Sequence, residues 1–289
     1  MTKNVINLLD SRRDEYSTIG NDGIIEHILD IVNIKKGMFV EFGAWDGKWT
    51  SNCRKLFEEG WKGIFIECDG GKYGKLKKNY KLCREITCLH KKVGFNKESF
   101  DNIVRGYLKK KKIDFCSIDV DGLDVEIFET FEQYLPEVVC IESGFILPPY
   151  RKRVPSRISR RTIQQSLNVT IRAFEKKGYK IVCAGINCFF VKEKYYHLFN
   201  VPTDILTLYF NGLRAFPEYI PSIWNKLKKV DGLKKYKNEI ALKILDKAEY
   251  RFHKDSAHTR RVWSGKKYDI ILKAINEIEK EEKIKRDSF

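Results

Sequence analysis

The residues best placed to do chemistry are carboxylates at the ends of short apolar runs. Asp119 and Asp121 follow Ile113-Asp114-Phe115-Cys116-Ser117-Ile118, Glu142 closes Val138-Val139-Cys140-Ile141, and Glu67 closes Gly63-Ile64-Phe65-Ile66. On an extended strand end, residues i and i+2 point to the same side, so Asp119 and Asp121 are expected to face one site. Gly122 then lets the chain turn into a helix. Clustered carboxylates raise one another's pKa, and a carboxylate tuned in this way can take a proton from a hydroxyl. Two roles stay open for Asp119, Asp121 and Glu142. In one, Asp119 faces a cofactor and Asp121 is the base. In the other, Asp121 and Glu142 hold a magnesium-like ion that orients an acceptor and lowers its hydroxyl pKa. No second clear cluster of oxygen ligands accompanies them, so base catalysis without a metal is expected. Asp124 reads instead as a helix N-terminal carboxylate favoured by the helix dipole.

A second constellation is Phe39-Val40-Glu41-Phe42-Gly43-Ala44-Trp45-Asp46-Gly47, which places small residues and Asp46-Gly47 directly after an apolar strand. In an open α/β sheet, ligands bind outside the carboxyl ends of the strands where the strand order reverses. Gly43 and Gly47 are expected to let the backbone turn tightly and approach a ligand. The run departs from G-x-G-x-x-G, the longer fingerprint that cradles a pyrophosphate, so it suits a cofactor without phosphates. S-adenosylmethionine fits, because its ammonium wants a carboxylate and its carboxylate wants backbone N–H groups. Glu67, followed by Cys68 and Asp69, lies about 20 residues beyond the glycines, the distance at which a carboxylate accepts from both ribose hydroxyls. The plainer alternative for Glu67 is a solvated carboxylate at a strand end.

The elements that must position these groups alternate between β and α. Strands are expected at 38–42, 63–67, 85–89, 113–118 and 138–142, and a final close pair at 179–183 and 187–191. The first five are near-continuous apolar runs, as for strands covered on both faces. Helices are expected at 22–32, 51–59, 72–80, 97–110, 123–134 and 162–177, the first burying Ile24, Ile25, Ile28 and Ile31. This alternation predicts an α/β, Rossmann-like sheet, mostly parallel, with an antiparallel edge hairpin. Residues 1–36 form a helical lead-in, 37–200 the core, and 201–289 a basic helical C-terminal extension broken by Pro202, Pro217 and Pro221.

Composition narrows the setting. The 289 residues are 43% hydrophobic and 33% charged, in the range of globular chains. No apolar run approaches the roughly 20 residues needed to span a bilayer. The N-terminus places charges where a signal peptide needs an apolar stretch, so a cytoplasmic location is expected. The eight cysteines lack C-x2-C spacing, and Cys68, Cys116, Cys140 and Cys183 read as small buried hydrophobes. The net charge of +16 suits nucleic acid, anionic membrane or acidic glycans, or a lysine-rich surface that is merely solvated.

The segments Glu15-Tyr16-Ser17, Asn21-Asp22-Gly23-Ile24-Ile25-Glu26, FVEFGAWDGKWTSN, GWKGIFIECD, DFCSIDVDGLD, VVCIES and GINCFFV, in this order over roughly residues 15–195, resemble the FkbM-type methyltransferase family. The resemblance implies a seven-stranded class I methyltransferase sheet, S-adenosylmethionine as cofactor, and O-methylation, often of a sugar. It further implies that Glu41, Gly43, Asp46 and Gly47 carry the methionine end of the cofactor, with Ala44 among the cofactor-binding residues. Asn52 falls near the same pocket, Glu67 is the ribose carboxylate, and Val93-Gly94 pass the adenine.

On the acceptor side, Pro148-Pro149 resembles the family, but Ser143-Gly144 replaces its Asn-Pro, and Arg151, Arg153 and Arg157 follow in a basic stretch. Arginine forks suit carboxylate or phosphate, which points to an anionic acceptor. A solvated basic loop is the alternative. An RNA acceptor is the rival within the enzyme class, though no RNA-binding module signature is present. A non-catalytic Rossmann-like binding module is the rival outside it.

Overall fold

The computed structural model describes residues 6–109, 111–145, 149, 153 and 164–216. Seven strands form one sheet: β1 (Met38–Phe42), β2 (Lys62–Glu67), β3 (Ile86–His90), β4 (Phe115–Ile118), β5 (Val138–Glu142), β6 (Tyr179–Ala184) and β7 (Asn187–Lys192). Their order is β3-β2-β1-β4-β5-β7-β6. Pairs from β3 through β5 are parallel, and β7 runs antiparallel to both β5 and β6. The apolar runs fold as the expected strands because both faces are covered, and the apolar residues of β1, β4 and β5 are buried apart from the half-exposed Met38.

Side chains alternate between two cores. Val40, Phe42, Ile64, Ile66, Cys116, Ile118 and Ile141 line one face. It is covered by α4 (Phe100–Leu108), α5 (Asp124–Glu129), α6 (Leu167–Glu175) and α8 (Ile205–Ala215). Phe39, Phe65, Phe115, Cys140 and Phe189 line the other. That face is covered by α1 (Asn21–Ile31), α2 (Arg54–Glu58) and α3 (Gly70–Tyr80). A short α7 (Glu193–Tyr196) follows the hairpin. Phe128 of α5 stacks on Phe174 of α6 at 3.6 Å between centroids, and Phe174 stacks on Phe190 of β7 at 3.8 Å. Each such pair adds about 0.5–1.5 kcal/mol beyond area burial. The column fixes α5, whose first residue is Asp124.

Two helices are shorter than the periodicity predicts because a side chain captures the backbone. The Asp101 carboxylate accepts the N–H groups of Glu132, Gln133 and Tyr134, so the chain leaves α5 after Glu129 instead of running to 134. Ser51 and Asn52 bond to Glu41, so α2 begins only at Arg54. Such local bonds compete with helical ones. Among the cysteines, Cys116, Cys140 and Cys183 are buried, whereas Cys68, expected to be buried, is exposed beyond the end of β2. No helix among the described residues is long and apolar enough to cross a membrane.

Candidate active site

The carboxyl ends of β1, β2, β4 and β5 share one edge of the sheet, and strand order reverses between β1 and its neighbours β2 and β4. Gly43, directly after β1, has φ 76°, and a Cβ there would lie 1.7 Å from the Asp119 carbonyl oxygen. Gly47 has φ 69°, and its Cβ would meet Tyr80 Cε2 at 2.5 Å. Both glycines make the expected tight turn, but the atoms they approach belong to the protein. Gly43 lets the ends of β1 and β4 close together, and Gly47 lets the loop settle on α3. Ala44 is buried with its N–H on the Ile66 carbonyl. The Asp46 carboxylate accepts the N–H groups of Lys48 and Trp49 at 2.9 and 2.8 Å, holding the loop's shape.

Glu67 ends β2 beside this loop. Its two oxygens accept the N–H groups of Asp69 and Trp45, each at 2.8 Å, which fixes the carboxylate and leaves lone pairs for a further donor. Asp69 is the N-cap of α3, accepting from Lys72 N at 2.8 Å, and that bond lowers its pKa. Cys68 lies exposed between them, with its carbonyl against His90 Nε2. Val93 packs its side chain into the core beyond β3.

A polar row crosses the sheet where Glu41, Ser117 and Cys140 are register partners on β1, β4 and β5. Asn52 lies over the row. Its N–H donates to Glu41 at 2.8 Å, its amide nitrogen to Ser117 Oγ at 2.9 Å, and its amide oxygen accepts from Asn21 at 2.9 Å. Asn52, predicted near the cofactor, thus spends its side chain on internal partners. Burial pushes Glu41 up to about 7 against the Ser51 and Asn52 donors, and Asp119 adds to the rise. Ser51 and Asn21 lie in the segments that carry the resemblance, but the bonds they make could not be read from sequence, because their partners lie in other elements.

The chemistry gathers at β4 and β5. Oxygens of Asp119, Asp124 and Glu142 all lie within 4.8 Å of one another. Asp119 is open to solvent at the rim yet packed among protein atoms. That desolvation, then the charges of Asp124 and Asp121, push it up to about 7, while Lys72 pulls the other way. Burial and then Asp119 raise Glu142 to about 8, opposed by a hydrogen bond from Gln164. Asp124 is fully buried and accepts from the N–H groups of Val120 and Gly122 at 3.0 Å. Burial raises it to about 6 against those bonds and Gln164.

Asp121 differs from its expected placement. β4 ends at Ile118, and Asp121 is exposed at φ 57°, so strand alternation no longer governs where it points. Its charge still raises Asp119 and Glu142. Asp124, expected only as a helix-end carboxylate, both anchors the loop and stands in the cluster in Asp121's stead. Gln164, which bonds Glu142 and Asp124, gave no signal within its basic surroundings. On the acceptor side, Arg153 makes a bidentate pair with Glu129 at 3.1 and 2.7 Å, so its guanidinium is already matched by a carboxylate. Arg151 and Arg157 lie outside the described residues.

The strand order, with β7 alone reversed, decides the architecture. This is the Rossmann-like class I methyltransferase fold. No family model matches the chain, and no curated protein does. Among solved structures, it is similar to M. capricolum TrmK in complex with S-adenosyl-homocysteine, its natural cofactor product. Identity there is 12%, over 88% of this chain and 95% of that one, at a TM-score of 0.43. A SAM-dependent methyltransferase from Aquifex aeolicus is 14% identical over 57% of this chain and 86% of that one, at 0.37. The fibrillarin/Nop5p complex matches at 17% identity over 54% and 71%, at 0.35.

This edge of the sheet is acidic. Glu67, Asp119, Asp121 and Glu142 stand at the strand ends, with Lys72 the cation whose charge reaches Asp119. A pyrophosphate would meet these carboxylates with like charge, whereas a ligand carrying positive charge and a ribose diol is complementary.

Proposed function

We propose that the protein is an S-adenosylmethionine-dependent O-methyltransferase of the FkbM type, acting on a hydroxyl of a sugar or related polar acceptor. The observation that carries this reading is the acidic, phosphate-averse edge at the strand-order reversal, with a solvent-open carboxyl of pKa about 7 beside it. When bound, the cofactor supplies a methyl group on a positively charged sulfur. Glu67, pre-set by Trp45 and Asp69, accepts the ribose hydroxyls. The turn from Gly43 to Gly47 would border the methionine end. Asp119 takes the proton from the acceptor hydroxyl, since its pKa leaves a substantial basic fraction at neutral pH. Asp124 holds the 119–124 loop, and Gln164 holds Glu142 and Asp124 in place.

Two second readings have their own observations. A divalent ion at Asp119, Asp124 and Glu142 is favoured by the 4.8 Å grouping of their oxygens, and would make turnover sensitive to a chelator. An RNA acceptor is favoured by the +16 charge, and would show as binding that falls steeply with salt. An anionic glycan draws less support than the sequence implied, because Arg153 is paired with Glu129.

The test is calorimetric titration with S-adenosylmethionine and S-adenosylhomocysteine, on the wild type and on Glu67→Gln, which keeps the shape of the side chain. Micromolar binding to the wild type, weakened at least tenfold in the variant, is the expected result. A folded wild type that binds neither ligand overturns the reading and favours a non-catalytic binding module.

A further inference from the structure

Trp45 sits where its residue type is least at ease. Its φ is 50°, in the left-handed region that bulky side chains rarely enter, and the residue is 40% exposed, whereas Trp61 is fully buried. Two contacts hold it. Its N–H donates to Glu67 Oε2 at 2.8 Å, and the Lys72 ammonium lies 4.6 Å from its ring centroid. A strained backbone that persists at the mouth of a site points from conformation to function.

We propose that the Trp45 ring is the cation-binding wall of the cofactor site, taking the sulfonium of S-adenosylmethionine in the place where Lys72 now lies. This rests on the function proposed above and adds a specificity element to it. The ring already carries a cation, and indole is the side chain that holds cations best. Glu67 ties the wall to the ligand, for the carboxylate that fixes the Trp45 backbone N–H is also the one assigned to the ribose, and the sulfur is one carbon from that sugar's ring. The cofactor and its demethylated product differ in the charge on that sulfur. A cation-binding wall therefore favours the cofactor, and a lysine competing for the same ring opposes it. Trp45 and Lys72 together set how strongly the cofactor is preferred over its product.

The experiment measures the affinities of S-adenosylmethionine and S-adenosylhomocysteine by calorimetry in the wild type, Trp45→Asn, Trp45→Phe and Lys72→Met. Asparagine tolerates the left-handed backbone, so the first variant removes the ring without forcing the loop, and thermal melts confirm that each variant folds. Trp45→Asn is expected to weaken the cofactor about five- to thirtyfold and the product less than twofold. Trp45→Phe restores most of the difference, and Lys72→Met tightens the cofactor relative to the product. Equal losses for both ligands would assign the ring to an uncharged contact and overturn the inference, as would no loss at all. If the wild type binds both ligands, those outcomes leave the proposed function standing. If it binds neither, that function falls and this inference with it.

Discussion

Replacing Gly43 with alanine tests whether the ends of β1 and β4 must touch for the site to form. The residue has φ 76°, which costs an alanine about 1–2 kcal/mol. The added Cβ would lie 1.7 Å from the Asp119 carbonyl oxygen, a backbone atom that no rotamer change can move aside. Relief requires the two strand ends to part by more than an ångström, and overpacking of this kind costs about 1–3 kcal/mol. The expected loss is therefore about 2–5 kcal/mol in urea denaturation, seen as a lower midpoint at unchanged slope. The parted strand ends frame the proposed cofactor site, so affinity for S-adenosylhomocysteine should fall as well. Gly47→Ala meets only the ends of Tyr80 and Leu76 side chains, which can give, so its stability loss should come with a smaller loss of affinity. Gly74→Ala, on α3 with nothing within 4 Å, should be neutral or slightly stabilising. Wild-type stability and affinity in Gly43→Ala would refute the close-approach reasoning.

Asp119→Asn should lower kcat about 10²–10⁴-fold while leaving cofactor affinity near that of the wild type, and an unchanged kcat would remove it as the base. Stability should fall as pH rises from about 4 to about 8. Glu41, Asp119, Asp124 and Glu142 have folded-state values of about 7, 7, 6 and 8, all above their unfolded values, so the folded chain binds the extra protons and loses that advantage as they leave. Glu41 alone is worth roughly 3 kcal/mol over this window, and urea midpoints that rise with pH would contradict the assignment. Arg153→Ala should leave the acceptor KM unchanged and cost under about 1 kcal/mol, since its partner Glu129 is a surface group. A tenfold rise in KM would restore the anionic-acceptor role.

Periodicity made the sheet legible, because buried parallel strands announce themselves as apolar runs. The bounds of β1 and β5 agree with the structure to the residue, and β2, β3, β6 and β7 to within one. Helix ends were less so, since Asp101 stops α5 from 31 residues away in sequence. Carboxylates at strand ends were readable one by one. Their grouping was not, because the turn at Asp121 depends on a positive φ that local spacing does not encode. Asp124 is the helix N-terminal carboxylate that was expected, and its place in the cluster went unread for the same reason. The partners that tune the site, Ser51, Gln164 and Lys72, are ordinary polar residues whose meaning comes only from what the fold sets beside them.

The Asn21–Asn52–Ser117 chain has a consequence for how the molecule reaches its native state. Its links join residues 31 and 65 apart in sequence, so none can close until helix, loop and sheet are all assembled. If β4 docked against β1 one residue out of register, Ser117 would turn to the opposite face and Asn52 would be left with unanswered polar atoms. Each buried group stranded in this way costs about 1–3 kcal/mol. Apolar neighbours of similar size tolerate such a slip far better. The row therefore works as a proofreading lock, penalising near-miss assemblies that the hydrophobic core alone would accept.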